Sequence, residues 1–282
     1  MKTTLPFLVA ALAGATYAQD TPKAPETSPA ASVSATAVAT TITVDYHRPG
    51  VKGRKVFGDL VPYGKLWRLG ANEATTISFS SPVTIDGKKV DAGKYALFAI
   101  PEEDAWTFVL NSKSEQWGAY QADAKQDVLK FEAKPEPSAS ATEWMTFSLD
   151  PVKPDTASIR MSWDKLTIAF PVQVDVEKSL EAYVASAKGS PDACYKAADF
   201  ALTANTAIPK ALEWADKAYQ AQASPFTMSL KARVLAKTGK KDEAIALMTK
   251  AIEMVKADKK MPADALKMLE RYMTEVKGSP KS

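Results

Sequence analysis

Across residues 31–174 apolar and polar side chains alternate, as in Thr41-Ile42-Thr43-Val44, Thr76-Ile77-Ser78-Phe79, Tyr95-Ala96-Leu97-Phe98, Trp106-Thr107-Phe108-Val109 and Trp144-Met145-Thr146-Phe147. Ser158-Ile159-Arg160-Met161 and Leu166-Thr167-Ile168-Ala169-Phe170 continue the pattern. A period of two carried by β-branched and aromatic residues specifies strands with one buried face. Asp86-Gly87, set between Val83-Thr84-Ile85 and Val90, predicts a tight hairpin, and Asp164 between the last two runs predicts another. Many short strands without an intervening helical run predict an antiparallel β-sandwich, jelly-roll-like, over 31–175.

After Val174 the pattern changes to Ala, Lys and Leu at helical spacing. Ser190-Pro191 and Ser224-Pro225 each offer a capping hydroxyl with Pro in the first turn, Pro262 opens a last helix, and Gly189, Gly239 and Gly278 suit helix ends. These signals predict about six helices over 176–278. Ala211, Ala215 and Ala218 recur as Ala244, Met248 and Ala251 at a shift of 33 residues, which resembles the tetratricopeptide pattern of close-packed helical hairpins. The resemblance implies a protein partner for the helical repeats.

Composition excludes more than it supplies. The 282 residues hold 36 Lys and Arg against 33 Asp and Glu, too even a balance for a nucleic-acid partner. One Cys and one His exclude intrachain disulfides, Cys redox pairs and zinc sites built from several Cys and His, and no metal or cofactor is expected. Lys2 followed by an apolar run over 5–12 and small residues up to Ala18 reads as a secretory signal peptide over 1–18, too short to span a membrane. The expected destination is the periplasm or the medium, with no transmembrane segment after cleavage. Pro22, Pro25 and Pro29 make 19–30 a flexible linker.

One segment breaks the strand pattern. Residues 46–75 are dense in Gly, Pro and aromatic residues, and between Arg48 and Arg68 six basic residues face one acid, Asp59. The surrounding 19–175 carries 17 Lys and Arg against 20 acids, so positive charge is concentrated in one long ordered loop. Tyr46, Arg48-Pro49, Lys52-Gly53-Arg54, Phe57-Gly58, Leu60-Val61-Pro62-Tyr63-Gly64, Trp67-Arg68 and Gly70-Ala71-Asn72-Glu73-Ala74-Thr75 resemble the signature of a family of exported bacterial proteins, domain of unknown function 2911. Ala92-Gly93-Lys94-Tyr95, Leu97-Phe98-Ala99-Ile100-Pro101 and Trp117-Gly118-Ala119-Tyr120 extend the likeness over most of the β domain, while His47 departs from it. The family name implies no activity.

Guanidinium forks pair with carboxylate or sulfate, and aromatic faces stack on rings. Arg48, Lys52, Arg54, Tyr63, Trp67, Arg68 and Asn72, with Trp117 and Tyr120 from a second loop, are therefore the candidate contacts for an anionic small molecule or glycan. The competing reading has the same arginines pinning the loop to carbonyls and Trp67 filling the core. Trp106, Trp144 and Trp163 fall in or beside strand runs and read as core; His47 lacks a nucleophile partner, and Cys194 reads as a small buried residue. The leading expectation is a noncatalytic binding and scaffolding protein. Its rivals are a polysaccharide hydrolase using Asp59 and Glu73 as acid and base, and a purely structural envelope component.

Overall fold

The structure is a computed structural model and describes residues 25–258 and 260–278. Two antiparallel sheets are followed by six α-helices. The first sheet has the order β1-β2-β3-β6-β7-β8, formed by Ala30–Ala37, Thr40–His47, Thr76–Phe79, Gly93–Ile100, Trp106–Asn111 and Asp127–Ala133. The second has the order β5-β4-β10-β9, from Lys88–Val90, Val83–Ile85, Thr156–Val174 and Pro135–Lys153. Alternation sends Ile42, Val44, Ile77, Leu97, Phe108 and Leu110 from one sheet into a single core with Met145, Phe147, Ile159, Met161, Phe170 and Val172 from the other. Burial of this set excludes water from between the layers and is the main force joining them.

The hairpin predicted at Asp86-Gly87 joins β4 to β5, with φ of 50° and 70° at the two turn residues. Asp164 has φ of 54°, but it does not turn the chain. It sits in a bulge of β10 opposite Thr142, and the reversal between the two long strands lies at 153–156 instead. A left-handed Asp is shared by turns and bulges, so the local signal is the same for both. Ala30 opens β1, and Arg48 N donates to Pro29 O at 2.9 Å. The described end of the expected linker is thus bonded to the domain, while residues 1–18, the expected signal peptide, lie outside the described residues.

The helices are α1 Val176–Ser186, α2 Pro191–Thr203, α3 Ile208–Ala221, α4 Pro225–Lys237, α5 Lys241–Ala257 and α6 Ala263–Gly278. Ser190 and Ser224 cap α2 and α4 with Pro in the first turn, and Ser224 with Thr227 forms a reciprocal capping box. Ala211, Ala215 and Ala218 of α3 and Ala244, Met248 and Ala251 of α5 are all buried, so the 33-residue recurrence marks equivalent packing positions. No helix among the described residues is long and apolar enough to cross a membrane. β10 runs directly into α1, whose buried Ser179 Oγ accepts from Ala39 N at 3.0 Å and Thr40 Oγ1 at 2.9 Å. The helical part is therefore tied to the β1–β2 turn.

Candidate functional site

The 46–75 segment is held by aromatic insertion. Phe57 and Trp67 enter the core beside Trp106 and Trp163; Trp67 stacks on Trp163 with centroids 5.9 Å apart, and Trp67 and Ala99 exchange backbone hydrogen bonds of 2.7 and 3.0 Å. Trp67 is 9% exposed, so most of its ring is core, while it also lines a small recess. The chain then turns sharply, with Leu69 and Asn72 both left-handed at φ of 56° and 54°. Gly70 is required here because a Cβ would meet His47 O at 2.9 Å.

Most of the predicted cations are engaged by the protein itself. Arg48 donates through Nε to Met145 O at 2.9 Å and through Nη2 to Thr146 Oγ1 at 2.7 Å. Arg54 donates to Val51 O at 3.1 Å and Gly50 O at 2.7 Å. These two arginines clamp the loop, Arg48 through one backbone carbonyl and a hydroxyl and Arg54 through two backbone carbonyls. The Lys52 ammonium lies 5.8 Å from the Trp144 ring, which is 36% exposed and does not fill the core as its strand position suggests. Tyr63 packs its ring over Gly58 and is half-buried. Arg68 differs: its Nε is buried without a hydrogen-bond partner, as is Trp163 Nε1. Both residues line a recess of about 260 Å³ together with Lys52, Arg54, Thr27 and Ser28.

A larger cleft of about 1220 Å³ lies on the outer face of the first sheet, at its β1–β2 end. Ser32, Asp45, His47, Thr76 and Lys94 line it, all from positions alternate to the core residues of their strands. Its far wall is the 114–121 loop, stitched to the 72–74 turn by Ala74 N donating to Gln116 O at 3.0 Å and Gly118 N to Asn72 O at 3.2 Å. Phe98, Ala96 and Val109 pack beneath this wall with Ala119 and Ala122. Gly118 has φ of 67°, and a Cβ there would meet the Tyr120 ring at 2.8 Å. The loop thereby presents Trp117, 59% exposed, beside the cleft, and Tyr120, 86% exposed, outside the cleft lining.

At the cleft floor three titratable side chains meet. His47 Nε2 is 3.1 Å from Glu26 Oε2 and 3.5 Å from Glu73 Oε2, and Asn72 Nδ2 donates to the same Glu26 oxygen at 2.7 Å. Glu26, Asp45, Glu73 and Glu115 outnumber Lys94 and His47 along the lining, so the cleft is acidic where the smaller recess is basic. The two adjoin along the chain: Glu26 lines the cleft, and Thr27 and Ser28 line the recess. Asp59 is exposed and lines neither, so the carboxylate beside Glu73 is that of Glu26.

A family model described as Protein of unknown function (DUF2911) matches residues 28–172. The chain belongs to this family. No curated protein matches the chain, and no solved structure does. In this DUF2911 chain the Asn72-Glu73 and Trp117-Gly118 stretches, 45 residues apart, are joined by a bridge between Glu73 and Trp117. Sequence reasoning placed both stretches among the candidates but missed Glu26 and assigned no part to His47. Glu26 falls in the segment read as linker, where Pro and Thr neighbours masked it. His47 extends an alternation, Asp45 and His47 opposite Val44 and Tyr46, that puts it on the outer face.

Proposed function

We propose that this DUF2911 protein is an exported, noncatalytic binding and scaffolding protein whose β domain takes an acidic glycan. The carrying observation is the 1220 Å³ cleft with an exposed Trp117 at its wall. A broad indole face suits the apolar face of a sugar ring, while the carboxylates and Asn72 suit its hydroxyls. The acidic group is assigned to the basic recess lined by Lys52, Arg54 and Arg68, which carries no carboxylate among its described lining residues. Arg48 and Arg54 then serve the loop rather than the ligand. The helical part reads as two tetratricopeptide-like hairpins, α2–α3 and α4–α5, and its role is contact with a protein; the buried small residues at matching positions support that reading.

The hydrolase reading loses its support. Asp59 does not line the cleft beside Glu73, and the carboxylate that does, Glu26, is engaged by His47 and Asn72. Calorimetric titration with a uronate-containing oligosaccharide and its neutral counterpart tests the proposal. The acidic sugar is expected to bind the more tightly. Trp117→Ala should weaken both by about tenfold or more, ~1.4 kcal/mol, and Arg68→Met should erase the preference for the acid. Affinity untouched by Trp117→Ala, or no binding of either sugar, overturns it.

A further inference from the structure

We propose that Glu26, His47 and Glu73 form a site for a divalent first-row transition-metal ion, with Zn²⁺ as its probe. One imidazole nitrogen and two carboxylate oxygens from these residues lie within 4.8 Å of one another. In a tetrahedral site with bonds of about 2.1 Å, neighbouring ligand atoms stand ~3.4 Å apart. The His47 Nε2 separations of 3.1 and 3.5 Å from the two Glu oxygens already match that edge. Only the gap between the carboxylates has to close further, and both Glu side chains are partly exposed, at 38% and 53%, and have room to swing.

Nε2 carries one proton at most, so the imidazole N–H and the Asn72 amide face two carboxylates whose negative charges a cation between them would answer. Asn72 Nδ2 donates to Glu26 Oε2, the kind of contact that orients a ligating carboxylate. The donor set also selects the ion. Imidazole suits Zn²⁺ and its neighbours and is foreign to the all-oxygen sites of Ca²⁺ and Mg²⁺, while the absence of a thiolate disfavours soft ions. One His therefore suffices where carboxylates complete the set, contrary to the sequence expectation of no metal. The remaining coordination positions face the cleft, where water or a ligand oxygen would complete them, and the site stands whether or not the glycan reading holds.

Titration of the chelator-treated full chain with ZnCl₂ is the test. One ion per chain is expected, undisplaced by millimolar Ca²⁺ or Mg²⁺, and Glu26→Gln and Glu73→Gln should each weaken binding by at least about tenfold. Both changes are nearly isosteric at partly exposed side chains, so folding is retained. With Co²⁺ as a second probe, visible absorption bands should form in the wild-type chain and vanish in His47→Ala. No stoichiometric binding, or Zn²⁺ affinity unchanged in both Glu variants, overturns the proposal, and so do Co²⁺ bands that persist in His47→Ala.

Discussion

Two tryptophans of the β domain show how the same residue type takes opposite roles. Trp67 inserts into the core, stacking on Trp163 and donating Nε1 to Gly70 O, whereas Trp117 stands at the cleft wall. Trp67→Ala should cost about 3–5 kcal/mol, read as a fall in the denaturant midpoint. Trp117→Ala should leave that midpoint within about 0.5 kcal/mol. A marked loss of stability in Trp117→Ala would make it a packing residue. Gly118→Ala forces a side chain into the left-handed region and onto the Tyr120 ring, so about 1–2 kcal/mol of stability should go together with a displaced Trp117. Sequence reasoning grouped Trp67 with the ligand contacts because it lay among Arg and Lys; burial is decided by what the loop folds onto, and spacing does not carry that.

At the level of elements, the strands with bulky alternation were legible and those without it were not. β1, Ala30–Ala37, is built of Ala, Ser, Thr and one Val, and it is recognised only by its register against β2. The first half of β9 is Pro- and Ser-rich and pairs with β10 through a hairpin whose turn carries Asp155. Burial pulls the Asp155 carboxyl upward, but hydrogen bonds from Gln173 Nε2 at 3.3 Å and Thr156 Oγ1 at 3.0 Å prevail and hold it below its ordinary value. A depressed carboxylate stabilises the fold above the unfolded carboxylate range, and that contribution is lost as pH falls through the folded value. Melting temperature followed from pH 7 downward should therefore drop more steeply below about pH 4 for wild type than for Asp155→Asn. Parallel curves would remove the hairpin turn from the acid response. The basic loop was legible as an ordered unit, yet its purpose was not, because a carbonyl of the protein and an oxygen of a ligand satisfy Arg equally well.

Over the whole molecule, the change of periodicity after Val174 located the boundary between sheets and helices, and the six helices followed from their caps. The tie across that boundary was not legible, since Ser179 and the Ala39-Thr40 pair are 140 and 139 residues apart. Ser179→Ala leaves the Ala39 N–H and the Thr40 hydroxyl without this acceptor and should cost about 1–3 kcal/mol, several degrees of melting temperature. An unchanged melt would mean that these two hydrogen bonds do not tie the two parts together. The site has the same long-range character: Glu26, His47, Glu73 and Trp117 come from four separate stretches brought together by the first sheet and the loops that cover it. The most direct measurement is amide and indole chemical-shift mapping of the full chain during titration with the acidic oligosaccharide. Shifts concentrated at His47, Glu73, the Trp117 indole and the Arg68 side chain are predicted, and shifts confined to the helices, or spread evenly at saturating sugar, would contradict the cleft as the binding site.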